Sequence, residues 1–286
     1  MSALHRIPPP YIGVTGFMTH EEVLTVISGI PGHLVHLRTR AEEPEMTFRK
    51  IMIGVLMTQA TLEGLPNGKS RRYPKKEAVA QIFLDDPRVM NIIHYHTHDV
   101  RTLSLQLRNM LSLSSAIDGF QLNMRWPSLE DLRTVRNEFP LLHIILRIDA
   151  KAMSGLWWNV ETLFAKIAGY AGVANHVLFD MSGGKGALLS LDPWFIALLK
   201  TIARKLEGEG ILVGIAGGLD DVSVRSLNPL VYEMRDKSSG WNYARLLSTD
   251  AEGRLRSEND TLDTKKAIRY IMECNEMLSM YASDRI

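Results

Sequence analysis

Reactive side chains in this 286-residue sequence cluster at the ends of apolar runs, and the richest of these is "HVLFDMSGGKGALLSLDPW", His176 to Trp194. An apolar run there ends in Asp180 and continues through Ser182, Gly183, Gly184 and Gly186. A carboxylate beside bare backbone N–H groups suits a phosphorylated ligand, though a tight strand-to-helix turn uses the same residues. Two further stretches repeat the pattern: "AGGLDD" with Gly217 and Gly218, and "RDKSSG" with Asp236, Ser238, Ser239 and Gly240. Small residues before a helix expose N–H groups that bind phosphate. Each pair alone reads as a turn, whereas three in succession predict one phosphate site.

His94 and His96 in "HYHTH" lie two apart on a run expected to be a strand, so they share a face. Either is expected to abstract a proton near neutral pH if that face meets a ligand, and His94 reads equally as a hydrogen-bonded core residue. The spacing also suits zinc, with Asp149, His176 or Asp180 as a third ligand. Nothing in the sequence selects among those three, and no metal or other cofactor is expected. Gln121, Asn123, Arg147, Asp149 and Asp236 end three other runs and are expected to bind substrate at the same site. No G-x-x-x-x-G-K-[ST] loop is present.

Strands alternating with helical patterns must position these groups. Runs at 11–16, 33–39, 51–58, 89–97, 118–124, 141–149, 176–181, 211–217 and 230–236 are strand-like, with amphipathic helical stretches between most of them. Buried strands alternating with helices predict a parallel sheet, and the length suits one α/β barrel of the TIM, (β/α)8, type over residues 1–286. Nine runs exceed eight strands by one. Residues 51–57 are taken as the second barrel strand and 33–38 as a lead-in or edge strand, an insertion between residues 30 and 58. A doubly wound open sheet is the alternative. In a barrel, function belongs at the C-terminal strand ends, where Thr15, His94, Gln121, Arg147, Asp180 and Gly217 all fall.

Composition bounds the remainder. A net charge of +1 gives no support for nucleic-acid binding, and the basic run Lys69, Arg71, Arg72, Lys75, Lys76 reads as a solvated loop flank. The single cysteine, Cys274, suits a reducing, cytoplasmic setting. No signal peptide or membrane span is expected, and the sequence carries no sign of oligomeric state.

These motifs together resemble phosphoribosylanthranilate isomerase, a barrel that performs an Amadori rearrangement. "VTGFMTHEEV", "GFQLN", "LFDMSGGKG", "IAGGLDDVSV" and "RDKSSG" are similar to that family's segments in order, covering most of the second half and thinning between residues 30 and 115. The resemblance implies the barrel, a phosphorylated sugar-like ligand and Asp180 as general acid. The family's general-base cysteine corresponds to Thr15, whose hydroxyl holds its proton too tightly to act as base at neutral pH. Asn123 replaces the family's histidine. An isomerase or lyase acting on a phosphorylated sugar derivative is therefore expected, and a catalytically idle barrel that binds such a metabolite is the alternative.

Overall fold

The computed structural model describes residues 8–31, 49–66, 68, 71–156, 159–182, 190–236 and 240–280. Eight parallel strands close on themselves: β1 (Tyr11–Thr15), β2 (Lys50–Thr58), β3 (Val89–His96), β4 (Gly119–Leu122), β5 (His143–Asp149), β6 (His176–Asp180), β7 (Leu212–Ala216) and β10 (Ser248–Ala251). β1 pairs with both β2 and β10, which leaves no edge. This is the TIM barrel.

Alternation within the strands sets the two layers. Ile12, Val14, Ile53, Val55, Ile93 and Tyr95 point outward into the core beneath the helices. Tyr11, Met52, Met90, Ile92, Ile145 and Leu178 fill the barrel interior, as the period of two requires. The helices carry their start signals in the sequence. Thr19 and Glu22 make a reciprocal capping box for His20–Gly29, and Asp192 caps Pro193–Glu207 with Pro193 in its first turn. Ser128 and Asn159 cap Leu129–Glu138 and Val160–Ala168.

One strand assignment is corrected. Residues 230–236 do not form the eighth barrel strand. Asn228–Glu233 is a helix with Pro229 in its first turn, and Arg235–Asp236 (β8) pairs antiparallel with Trp241–Asn242 (β9) in a separate ribbon. The apolar run "LVYEM" satisfies a short helix as well as a strand, and the proline favours the helix. The true eighth strand is Ser248-Thr249-Asp250-Ala251, too short and polar to read as a buried strand. Its polar groups are buried with partners: Ser248 Oγ accepts from Tyr11 N–H, and Thr249 Oγ1 meets Cys274 Sγ at 3.5 Å. The second barrel strand lies at Lys50–Thr58 as expected, whereas the edge strand expected at 33–38 lies outside the described residues.

Candidate active site at the barrel mouth

Strand register brings the chemistry together. Asp149 pairs with Asp180, Asp180 with Ala216, Ala216 with Asp250, and Asp250 with Gly13. Asp180 and Asp250 thus stand two strands apart, about 10 Å between backbones. His94 is the register partner of Gln121 on the opposite wall.

Thr15, His94, Gln121 and Asp250 form the floor, with relative exposures of 0 %, 2 %, 3 % and 5 %. Thr15 Oγ1 donates to Asp250 Oδ1 at 2.9 Å and lies 3.1 Å from His94 Nε2. Gln121 Nε2 lies 3.0 Å from His94 Nδ1. Burial pushes the Asp250 carboxyl up to about 7, helped by the negative charges of Glu252 and Asp180 and opposed by the hydrogen bonds of Thr15 and Gln121. Burial beside the Arg147 cation pushes His94 down to about 3. His94 is therefore held neutral at the floor, which fits the hydrogen-bonded core residue that the sequence equally allowed.

Above the floor, Arg147 donates from Nε to Asp180 Oδ2 at 3.0 Å, with Nη2 at 2.9 Å from the same oxygen. Ser182 donates its N–H (3.1 Å) and its hydroxyl (2.6 Å) to Asp180 Oδ1. Both oxygens of Asp180 are thus engaged as acceptors. Asp149 caps Ala150–Ser154 through Ala152 N–H and approaches Arg147 at 4.0 Å. His96 sits at the rim, with Nδ1 3.0 Å from Asn123 O and its ring against His98. Asn123 Oδ1 accepts from Gln121 at 3.4 Å.

At the end of β7, Gly217 and Gly218 have φ of 116° and 62°, where a side chain would be strained. A Cβ on Gly217 would stand 3.3 Å from Asp180 Oδ1, so this turn closes against the carboxylate. The adjacent backbone N–H groups of Val222 and Ser223 are taken by Asp220 Oδ1, while Arg254 donates to Asp220 Oδ2 at 2.7 Å.

The two described residues of the third glycine motif, Asp236 and Gly240, flank a ribbon outside this mouth. β8 and β9 lie on the return path from the β7–helix turn to the start of β10, at the N-terminal end of the barrel. There Trp241 Nε1 donates to Glu207, near the end of its helix, and Tyr243 Oη accepts from Val213 N–H near the start of β7. Asp236 and Gly240 are therefore placed away from Asp180 and Gly217, contrary to expectation, because the eighth strand begins twelve residues after Asp236. Ser238, Ser239, Gly183, Gly184 and Gly186 lie outside the described residues. His176, considered as a zinc ligand with His94 and His96, is at the start of β6 against Tyr11, at the opposite end from the mouth. Among the described residues no three His, Cys, Asp or Glu side chains converge as a metal site.

Asp250 is the functional candidate that sequence reasoning missed. Its signal was present, an acid followed closely by Gly253 before the last helix, the pattern that drew attention to Asp180. Assigning the eighth strand too early hid it.

The closed barrel with its polar C-terminal mouth places the chain among TIM barrels. Over 94 % of its length it superposes on 99 % of phosphoribosyl anthranilate isomerase from Thermotoga maritima, with a TM-score of 0.57 and 14 % identity. A citrate lyase from Burkholderia xenovorans LB400 is similar over 94 % of this chain and 76 % of its own, with a TM-score of 0.51 and 14 % identity. No family model and no curated protein matches the sequence. The likeness is one of fold. No helix among the described residues is long and apolar enough to cross a membrane.

Proposed function

We propose that this protein is an enzyme that moves a proton on a phosphorylated sugar derivative, as an isomerase or lyase, with Asp250 as the group that transfers it. The observation that carries this reading is the buried Asp250 carboxyl, pushed up to about 7 at the end of a barrel strand. A group titrating near the working pH accepts and returns protons most effectively. Asp250 supplies the base that the Thr15 position lacks. The carboxylate, hydrogen-bonded by Thr15 and Gln121, takes a C–H proton beside a carbonyl or imine and returns it to the neighbouring atom.

The acid role expected of Asp180 also passes to Asp250, because Asp180 already accepts from Arg147 and Ser182. Asp180 and Arg147 are better suited to holding ligand hydroxyl groups. Gly217 and Gly218, with Arg254 nearby, support a phosphate at the β7 end.

The test is turnover of phosphorylated aminoaldoses and ketoses, phosphoribosylanthranilate included, monitored by exchange of substrate C–H protons with deuterated water. Exchange by the unmodified protein, reduced about 10²–10⁴-fold in Asp250→Asn, is the expected result. Binding without exchange would reject the enzyme and leave a metabolite-binding barrel.

A further inference from the structure

We infer that His96 is a second catalytic residue, which carries a proton between two heteroatoms of the substrate while Asp250 carries one between the carbons that bear them. The inference rests on the proposed function and assigns the part of that reaction which one carboxylate does not perform.

Alternation along β3 turns His96 toward the ligand. Tyr95 points outward, where its hydroxyl donates to Gln106 Oε1 on the helix Leu103–Leu111 at 2.6 Å. His94 and His96 therefore face the barrel interior, one layer apart. Two residues of a parallel strand rise about 6.6 Å, so His96 stands above His94 on the same wall, nearer the open end. It is half-buried, whereas His94 is closed off at 2 % exposure. A ligand resting on Asp250 at the floor meets His96 above it.

Hydrogen bonding fixes the form of the ring. Asn123 O is a carbonyl oxygen and can only accept, so the His96 Nδ1 lying 3.0 Å away carries a proton. The neutral ring then keeps its lone pair on Nε2, the nitrogen left for a ligand. The same carbonyl accepts from Nδ1 when Nε2 is also protonated, so the ring holds its seat in both states. His98 packs edge-on against it, with centroids 4.7 Å apart and planes at 87°. The other acids of the mouth are already engaged: Asp180 accepts from Arg147 and Ser182, and Asp149 caps a helix through Ala152 N–H.

Isomerisation moves two protons. Asp250 removes the C–H proton beside the carbonyl or imine, and the C–H pair becomes a carbon–carbon double bond. The displaced pair of the C=O or C=N bond takes the proton from His96 Nε2. The neutral ring next removes the hydroxyl proton on the neighbouring carbon, and that O–H pair forms the new carbonyl. The double-bond pair takes the proton back from Asp250 at the carbon that held the original carbonyl or imine. Asp250 ends ionised and His96 ends protonated on Nε2, as each began, and no further reactant is consumed.

Two measurements on the full-length protein test this. Imidazole ¹⁵N–¹H NMR without substrate should show the neutral His96 ring protonated on Nδ1; a proton on Nε2 instead overturns the inference. Phosphoribosylanthranilate and ribose 5-phosphate are then supplied in deuterated water, with C–H exchange and product formation followed together. His96→Asn, whose amide nitrogen keeps a donor for Asn123 O, should lower product formation about 10²–10⁴-fold. Exchange should fall less, so the ratio of exchange to turnover rises, whereas Asp250→Asn should lower both together. Product formation near the unmodified rate in His96→Asn, or an unchanged ratio, overturns the role of His96 and leaves that of Asp250 standing. Absence of exchange in the unmodified protein rejects the proposed function, and the role of His96 with it. If His96→Asn does not fold, His96→Gln is read against the same two outcomes.

Discussion

Replacing Asp250 by asparagine should stabilise the protein increasingly as the pH rises, because the buried carboxyl resists ionising. The side chain keeps its size, and its amide oxygen still accepts from Thr15. In the unmodified protein the carboxyl is raised from an ordinary 3.8 to about 7. Between those values the unfolded chain has released its proton while the folded chain holds it. Folding stability therefore falls as pH rises through this window, by about 1.4 kcal/mol per pH unit and about 4 kcal/mol in total. Below pH 4 both states are protonated and the contribution vanishes; above pH 7 it is constant. Asparagine has no such dependence. Urea denaturation of both proteins from pH 4 to 9 should show the stability difference, Asp250→Asn minus unmodified, climbing across the window and levelling above pH 7. The other titrating groups cancel in the difference. For 286 residues, about 4 kcal/mol corresponds to about 7 °C in Tm. A difference that is flat with pH, or that levels near pH 4, would refute the burial argument and remove the basis for Asp250 as a proton-transferring group.

The opposite sign is expected at the other end of the barrel. Burial pushes His176 down to about 3, helped by the nearby His143 and opposed by a hydrogen bond to the Pro9 backbone. The unfolded chain takes up a proton there below pH 6.5 while the folded chain does not, so stability falls on acidification. His176→Phe should flatten the loss of urea stability between pH 6 and 4 by about 1.4 kcal/mol per pH unit; an unchanged slope counts against it. Gly54→Ala should cost about 1–3 kcal/mol by overpacking against Thr15 and His94, read by urea denaturation; unchanged stability would count against it.

Local sequence sufficed for much of the barrel. Runs such as "IMIGVLM" and "HIILRI" are apolar on both faces because both faces are buried, so they read directly as strands. Thr19, Ser128, Asn159 and Asp192 announce their helices by short-range capping that involves no distant residue. Thr15, His94, Gln121, Arg147 and Asp180 were legible as site candidates because each ends such a run.

Tertiary structure decided the rest. "STDA" becomes the eighth strand only because Tyr11, Thr15 and the Thr249–Cys274 contact accommodate its polar groups, and those partners are more than twenty residues away. The same distance hid Asp250, since its burial, which raises its proton affinity, arises only when the barrel closes. The ribbon carrying Asp236 and Gly240 resembled a strand-end loop in sequence, and only the direction of the chain placed it at the opposite end of the barrel. Side-chain type and local spacing name the groups able to do chemistry; which of them meet, and in what protonation state, follows from barrel closure.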